Sequence, residues 1–281
     1  MSAQKKFGGD WSDTKLKALA NYLRSYALVL KNAPFRKTYI DAFAGAGSQL
    51  NSDDPEDEED AQYRHGSPLI ALETEPPFDD FIFIDKDGAK LEELKHQVAA
   101  RGHADRNMSF QSGDANGELL KICRMDWRFR RAVAFLDPFA LQVRWETIQA
   151  IARTQAIDMW LLFPAMAVNR MLTRSGSIDE KWQSKLDVTF GETSWRDEFY
   201  QTETPDLFGH QQVSKKDEPF KILSGFVTTR LEKEFAKANK QPLVLKNSSN
   251  TPIFLLCFAC GNEKGAAPAL RIADHIIQQS T

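Results

Sequence analysis

The stretch Thr38–Gln49, TYIDAFAGAGSQ, decides the fold of this 281-residue chain. Its first residues, Thr38 to Ile40, favour a short buried strand because β-branched and aromatic residues suit a covered, pleated surface. Asp41 then falls at the carboxyl end of that strand, where ligands bind in open α/β sheets. Gly45 and Gly47 follow in a turn, where glycine permits positive φ and lets backbone N–H groups approach a ligand. A tight strand-to-helix turn without a ligand is the alternative.

Three later segments repeat this layout of an apolar strand followed by an acid. They are Phe81–Asp87 (FIFIDKD), Met108–Asn116 (MSFQSGDAN) and Ala132–Ala140 (AVAFLDPFA). Helical patterns lie between them, with apolar residues at three- and four-residue spacing. Alternating helices and near-continuous apolar strands predict a doubly wound, mostly parallel α/β sheet covered on both faces. The strand-end acids would then line one edge of this sheet: Asp41, Asp85, Asp114 and Asp137.

The second half of the chain predicts an elaboration of this sheet. Ala156–Pro164 (AIDMWLLFP) is expected to form a fifth strand, and residues 168–240 show mostly helical patterns, longer than an ordinary connection. Leu243–Lys246 and Ile253–Cys260 are two further strands around a turn, which predicts an antiparallel closing hairpin and seven strands in all. We therefore expect one α/β domain over residues 1–281, with a helical insertion at 168–240.

The N-terminal segment is a separate feature ahead of the first strand. MSAQKKFGGD, residues 1–10, lacks the apolar core of a secretion signal. Trp11–Leu30 predicts an amphipathic helix because its leucines recur on one side. This helix is too short for a domain of its own, so we expect it to pack on the sheet. The residues of its apolar side are Leu16, Leu19, Leu23 and Leu30.

Charged residues are concentrated in two places. Seven of the eight residues in Asp53–Asp60 are acidic, and like charges this dense repel one another and resist packing. We expect an acidic, solvated loop over residues 50–65, with a lid over a bound ligand as the alternative. Basic and aromatic residues alternate over Arg124–Arg131, which would suit a nucleic-acid-binding face. A solvated connection between a helix and a strand is the alternative there.

The composition, 42% hydrophobic and 27% charged, is that of an ordinary soluble globular protein. No apolar run approaches the roughly 18 residues of a membrane span, so we expect no membrane association and, by default, a cytoplasmic location. Three cysteines, an odd number, fit a reducing compartment. Cys257 and Cys260 have neither a second cysteine pair nor a nearby histidine pair. We therefore expect buried strand cysteines and no metal site.

Taken in chain order, these motifs resemble those of the class I S-adenosylmethionine-dependent methyltransferases. DAFAGAG at 41–47 is similar to their glycine-rich first motif, and Asp85, Gly113–Ala115 and Asp137–Phe139 resemble the later ones. Over nearly all of its length the chain is also similar to the bacterial three-Cys-motif partner proteins. The stretches that carry this likeness are WSDTKLKALANYL, YIDAFAG, GSPLIALE, FLDPFALQVRW, DMWLLFPAMAVNRMLTRSG and LLCFACGN. The likeness implies a Rossmann-like methyltransferase fold and a three-cysteine-motif protein as partner.

The resemblance also implies S-adenosylmethionine as cofactor and assigns the strand-end residues to its parts. Asp85 would accept two hydrogen bonds from the ribose hydroxyls, as the equivalent acid does in dinucleotide-binding folds. Asp114 would accept a hydrogen bond from the adenine amine. The remaining cofactor-binding residues would surround the cationic amino acid end: Asp41, Phe43, Gly45 and Gly47.

Two other nucleotide-binding classes lack their motifs here. The dinucleotide fingerprint G-x-G-x-x-G would need a third glycine where Leu50 stands, and the chain contains no G-x-x-x-x-G-K-[ST] P-loop. Within the methyltransferase interpretation, Asp87 competes with Asp85 for the ribose. Its position directly before a helical pattern favours a role as helix N-cap instead.

Asp137-Pro138-Phe139 is the segment that bears most on the reaction. It resembles a motif of methyltransferases that act on exocyclic amines of nucleic acid, where an acid or amide holds the amine and an aromatic ring stacks on the base. This chain has one proline, Phe where Tyr is common, and Ala140 in place of a glycine, which leaves the substrate class open. The alternative is a plain strand end with Phe139 in the core. The expected substrate-binding residues follow the fifth strand: Asn169, Arg170 and Arg174.

The sequence thus predicts a methyltransferase that acts on an exocyclic amine of RNA, DNA or a related base, with Asp137 orienting the amine and Phe139 stacking on the acceptor. Two alternatives stay open. One is a non-catalytic partner or scaffold subunit of a three-cysteine-motif protein, because a fold can persist without its chemistry. The other is a nucleic-acid-binding module whose cleft holds a flipped base.

Overall fold

The computed structural model describes residues 9–45, 66–202 and 212–280. Gly47 and the acidic loop expected at residues 50–65 lie outside the described residues. The described helices are, in chain order, α1 (Gly9–Val29), α2 (Gly66–Leu72), α3 (Gly88–Ala100), α4 (Ala115–Cys123), α5 (Trp145–Arg153), α6 (Ala165–Met171), α7 (Glu180–Phe190), α8 (Trp195–Phe199), α9 (Pro219–Glu234) and α10 (Glu263–Gln279). None of them combines the length and apolar character that crossing a membrane requires.

The described strands form one large sheet and one small one. In chain order they are β1 (Arg36–Asp41), β2 (Asp80–Asp85), β3 (Met108–Ser112), β4 (Arg130–Leu136), β5 (Ile157–Phe163), β6 (Tyr200–Thr202), β7 (Val213–Lys215), β8 (Lys237–Ala238), β9 (Leu243–Lys246) and β10 (Pro252–Cys260). The large sheet has the order β3-β2-β1-β4-β5-β10, with β8 and β9 both paired to the far side of β10.

The directions of these strands confirm the predicted fold class. Strands β1 to β5 are mutually parallel, and β10 runs antiparallel to β5. The short strands β8 and β9 pair with opposite ends of β10, so together they fill a single seventh position. The sheet is therefore doubly wound and mostly parallel, and β9 and β10 form the predicted antiparallel closing hairpin. This order, with its antiparallel strand next to the edge, is that of the methyltransferase-like fold.

The sheet separates two hydrophobic cores because successive residues of a strand point to opposite faces. In β1, Tyr39 belongs to the core beneath α1, α2, α3 and α10, whereas Ile40 belongs to the core on the other face. In β4, Phe135 and Leu136 divide in the same way. Parallel strands buried on both faces need continuous apolar runs, which is why β1, β2, β4 and β5 were recognisable in the sequence.

Helix α1 packs on the sheet as predicted, but its buried side differs from the leucine pattern. Leu19 and Leu23 are buried, whereas Leu16 and Leu30 are only half-buried. The buried side instead continues through Lys15 and Tyr22. The Tyr22 hydroxyl donates a hydrogen bond of 2.6 Å to Oδ2 of Asp158 in β5. Burial is the main reason that the pKa of Asp158 rises to about 6.

The segment between β5 and β8 is helical, as expected, but it also contains a small sheet. Strands β6 and β7 pair antiparallel, with Tyr200 opposite Lys215. Helices α7, α8 and α9 enclose an aromatic cluster in which Phe190 contacts Trp195, Phe199 and Phe226. The mostly helical pattern expected over residues 168–240 did not reveal these two strands, because three-residue strands leave too short a pattern to recognise.

Candidate functional site

Three of the predicted acids lie at the carboxyl edge of the large sheet. Asp41 is the last residue of β1, Asp85 is the last residue of β2, and Asp137 directly follows β4. These strands are adjacent, in the order β2-β1-β4. The structure therefore brings together, across three neighbouring strand ends, carboxylates that are up to 96 positions apart in the chain.

Asp85 is tied to the glycine turn. Its Oδ2 accepts a 2.9 Å hydrogen bond from the backbone N–H of Gly45, and its Oδ1 accepts one of 2.8 Å from the backbone N–H of Asp87. Gly45 has a φ of +61°, which disfavours any residue with a side chain. Among the described residues, none has an atom within 4 Å of a Cβ added at Gly45. Asp85 therefore fixes the backbone where the turn begins.

Asp41 is fully buried and bonded to protein groups. Its carboxylate accepts hydrogen bonds from the Tyr39 hydroxyl at 3.0 Å and from the backbone N–H of Phe43 at 3.3 Å. The pKa of Asp41 is raised to about 7, and burial is the main cause. Hydrogen bonds from Ser67 and Tyr39 oppose this rise, whereas the nearby charge of Asp137 adds to it. Phe43 is half-buried against the core. In this position Asp41 supports the turn between β1 and Gly45.

Asp87 and Asp114 are helix caps. Asp87 accepts from the backbone N–H of Ala89 at 2.9 Å and caps α3, so the N-cap interpretation of Asp87 is confirmed. Asp114 accepts from the backbone N–H of Gly117 at 3.1 Å and caps α4. A carboxylate retains further lone pairs while it caps a helix, so the expected contact of Asp114 with adenine stays a prediction.

Asp137 is paired with a lysine that the sequence analysis did not single out. Nζ of Lys15 lies 2.6 Å from Oδ2 of Asp137, and the two side chains are only 2% and 14% exposed. The same ammonium lies 5.2 Å from the ring centre of Trp11, one turn earlier in α1. A buried ammonium is stable only when a counter-charge and a polarisable neighbour compensate its lost hydration. The signal available in the sequence was a lysine four residues before Leu19, on the apolar side of the helix.

Pro138 and Phe139 extend from Asp137 toward the surface. Pro138 is buried, whereas the side chain of Phe139 is 66% exposed. The backbone N–H of Phe139 donates a 3.0 Å hydrogen bond to Oε1 of Gln142, which fixes the turn after β4. The alternative in which Phe139 is a core residue is therefore wrong. An exposed ring two residues from a carboxylate could stack on a planar acceptor.

The residues expected to bind substrate follow β5, the neighbour of β4. Asn169 accepts a 2.7 Å hydrogen bond from Nζ of Lys215, which also bonds the carbonyl of Leu172 at 3.0 Å. Arg170 and Arg174 are exposed. Burial lowers the pKa of Lys215, and the charge of Arg174 lowers it further. No hydrogen bond or ion pair within the described ranges joins these residues to Asp137, so their contact with substrate stays a prediction.

The basic and aromatic segment Arg124–Arg131 lies at the opposite edge of the sheet, because Arg130 begins β4. Arg128 pairs with Asp126 at 2.6 Å, and Arg130 pairs with Asp80 at 2.9 Å. Trp127 is buried. Two of the arginines are thus engaged within the protein, far along β4 from Asp137, which favours the interpretation of this segment as a connection.

A cavity of about 290 Å³ also lies at that opposite edge, between α1 and α10. Tyr22, Tyr26, Arg131 and Asp158 contribute to its wall, with Cys260 beside them. Cys257 and Cys260 are both buried in β10, as predicted. Within the described ranges, no cluster of three or more His, Cys, Asp or Glu side chains could hold a metal ion.

No protein-family model and no curated protein matches this chain. Among solved structures it is similar to a Legionella pneumophila protein, with 14% identity and a TM-score of 0.41 over 81% of this chain and 93% of that one. It is also similar to the DszA carbon methyltransferase, with 15% identity and a TM-score of 0.41 over 85% of this chain and 53% of that one. The N-terminal domain of EvdMO1, solved in the presence of SAH and D-fucose, has 11% identity and a TM-score of 0.39 over 86% of this chain and 82% of that one. These likenesses are distant, so the fold assignment rests on the strand order.

Proposed function

We propose that this protein binds S-adenosylmethionine and transfers its methyl group to an exocyclic amine of a nucleic acid or a related base, in the cytoplasm. The observation that carries the proposal is the meeting of Asp41, Asp85 and Asp137 at adjacent strand ends beside the turn at Gly45. Ligands of doubly wound sheets bind at this edge.

The residues present suit the parts of such a cofactor. Asp85 fixes the turn and keeps lone pairs for the ribose hydroxyls. The turn at Gly45 would receive the amino acid end, with Phe43 at its side, because the described residues leave space beside Gly45. Asp114, which follows β3, would accept a hydrogen bond from the adenine amine. When bound, S-adenosylmethionine supplies an electrophilic methyl group, which a nitrogen lone pair takes as the carbon–sulfur bond breaks and its electrons stay on sulfur.

Asp137 would hold the acceptor amine and Phe139 would stack on its ring. A carboxylate oxygen accepts one N–H of the amine, which turns the nitrogen lone pair toward the methyl donor. The proton that the new secondary amine must lose passes to Asp137 or to water. Holding two reactants in line supplies much of the rate of such transfers, so rigid placement of Asp137 by its turn and by Lys15 matters more than strong basicity.

The decisive experiment is isothermal titration of the whole protein with S-adenosylmethionine and with S-adenosylhomocysteine. We expect both to bind, and NAD and ATP to give no heat. Binding of NAD or ATP without either adenosyl compound would overturn the proposal. Substitution of Gly45 by valine serves as control, because a β-branched residue at φ +61° should distort the turn and weaken binding.

A second candidate is a non-catalytic partner of a three-cysteine-motif protein. The observation that favours it is the Lys15–Asp137 ion pair, which already occupies one oxygen of the proposed catalytic carboxylate. In that case the protein would bind the cofactor or its product without methylating any acceptor. Labelled S-adenosylmethionine mixed with a host extract separates the two candidates, because only the enzyme leaves label on another molecule.

A further inference from the structure

The buried pair between Lys15 and Asp137 changes the charge of the proposed acceptor subsite. Asp137 is the acid expected to hold the acceptor, and the ammonium nitrogen of Lys15 lies 2.6 Å from its Oδ2. Nζ of Lys15 also lies 5.2 Å from the ring centre of Trp11. Among the described residues, Asp137 is the one acid that pairs with Lys15, and Lys15 is the one cation that pairs with Asp137.

We propose that Lys15 makes this subsite selective for uncharged amino groups, such as those of nucleic acid bases, over the alkylammonium groups of lysine side chains and polyamines. The inference rests on the proposed function, since it concerns the acceptor of the same site. It assigns Lys15 a role in specificity, with Asp137 as the group that contacts the acceptor.

The first step of the argument is electrostatic. A lone carboxylate at a partly buried strand end would attract any cation, because charges interact strongly where water is excluded. With the ammonium of Lys15 beside Asp137, an incoming ammonium meets repulsion that offsets the attraction. The incoming ammonium would also lose its favourable hydration free energy on entry, and only an unpaired counter-charge in the site could offset that loss. Like charge at a binding site is an effective way to exclude a wrong partner.

The second step concerns the hydrogen bond that remains available. Lys15 bonds Oδ2 of Asp137, and no donor within the described ranges bonds Oδ1. A carboxylate oxygen accepts an N–H from a neutral amino group without requiring a change of net charge in the site. Phe139, exposed and two residues away, offers a ring surface that suits a planar heterocycle better than a flexible alkyl chain. Both features favour a neutral aromatic amine.

The test compares binding of two probes to the whole protein saturated with S-adenosylhomocysteine. The probes are spermidine, which carries alkylammonium groups, and a mixture of adenosine, cytidine and guanosine, which carry neutral amino groups. The variants are Lys15→Met, which keeps an apolar stem and removes the charge, and Lys15→Arg, which keeps the charge. Lys17→Met is the matched control, because Lys17 is exposed on the same helix.

We expect spermidine to bind Lys15→Met on the order of tenfold or more tightly than it binds the wild type, with a steep dependence on salt. Lys15→Arg and Lys17→Met should behave like the wild type. Addition of Asp137→Ala to Lys15→Met should abolish the gained affinity, which would place spermidine at this carboxylate.

Two results would overturn the inference while leaving the proposed function intact. One is a folded Lys15→Met variant that binds S-adenosylhomocysteine but takes spermidine no better than the wild type does. The other needs no variant of Lys15: wild-type protein that binds spermidine as tightly as the nucleosides, with that binding lost in Asp137→Ala. If no form of the protein binds S-adenosylhomocysteine or S-adenosylmethionine, the proposed function itself fails, and the inference fails with it.

Discussion

Asp85 at the end of β2 accepts a 2.9 Å hydrogen bond from the backbone N–H of Gly45, in the turn that follows β1. One acid thus couples two neighbouring strand ends and holds a left-handed glycine in place. The relationship explains why an acid at this position would matter twice, once for the shape of the turn and once for the ligand that the turn receives.

Replacing Asp85 with alanine should weaken binding of S-adenosylmethionine by about 1–3 kcal/mol, because the turn loses its anchor and the ribose hydroxyls lose an acceptor. Isothermal titration measures the loss directly. Asp87→Ala is the matched control, since Asp87 caps α3 and should cost about 1 kcal/mol of folding stability with little effect on affinity. Equal losses of affinity in both variants would mean that Asp85 has no special part in the site.

Asp137→Asn should leave cofactor affinity close to that of the wild type, because the proposed adenosyl contacts lie on other strand ends. Methyl transfer should nevertheless fall by on the order of 10² or more if Asp137 orients the acceptor and takes up its proton. Radiolabelled S-adenosylmethionine and a host extract measure this without a known acceptor. Asp137→Ala is the harsher companion, because an asparagine can still accept a hydrogen bond. Equal labelling by the wild type and both variants would remove Asp137 from the reaction.

The buried carboxyl of Asp41 should make folding stability depend on pH. Burial raises its pKa from 3.8 to about 7, so between those values the folded protein retains a proton that the unfolded chain releases. The contribution of this group to the free energy of unfolding is therefore full at low pH, falls as the pH rises through that range, and is constant above it. Its slope is at most about 1.4 kcal/mol per pH unit.

Urea denaturation of Asp41→Asn and of the wild type at about pH 5 and about pH 8 tests this dependence. The variant cannot titrate, so its stability relative to the wild type should be greater at the higher pH. Asp158→Asn should show the same trend over a range that ends lower, because the pKa of Asp158 is raised only to about 6. A difference between Asp41→Asn and wild type that is independent of pH would show that Asp41 stays ionised in the folded protein.

Charge reversal in the basic segment should affect folding rather than cofactor binding. Arg130 and Arg36 both pair with Asp80, at 2.9 and 2.7 Å. Arg130→Glu would place a second acid against Asp80, which we expect to cost about 1–3 kcal/mol of stability. Arg124→Glu changes an exposed residue and should alter stability by less than about 0.5 kcal/mol. Chemical denaturation measures both, and a large loss of cofactor affinity in either variant would contradict the placement of the segment at the far edge.

The parts of the fold that the sequence predicted are those in which burial repeats along the chain. The strands ending at Asp41 and Asp85 are buried on both faces, so their apolar runs were unmistakable. The interrupted seventh strand was recognised only at β9, because β8 has two residues and its pairing with β10 depends on contacts distant in sequence.

The acids at the strand ends could be predicted from the sequence, whereas the residues that pair with them could not. An acid after an apolar run is visible in the sequence, whereas the contact between Lys15 and Asp137 spans 122 positions. A search for amphipathic helices counts a lysine as polar and assigns it to the exposed side. The burial of Lys15 could therefore not be read from the helical pattern. The capping of α3 by Asp87 was predictable for the opposite reason, since a cap acts within three residues.

Helix α1 supplies a partner to each of two acids. Lys15 neutralises Asp137 beyond the end of β4, and Tyr22, two turns later, bonds Asp158 near the start of β5. Seven residues of helix span about 10 Å, so one helix reaches both places. A version of the protein shortened to begin at β1 would therefore remove the counter-charge of Asp137 and one hydrogen-bond donor of Asp158, at opposite ends of neighbouring strands. Deletion series from the N-terminal side should therefore stop before Trp11, which contacts the ammonium of Lys15.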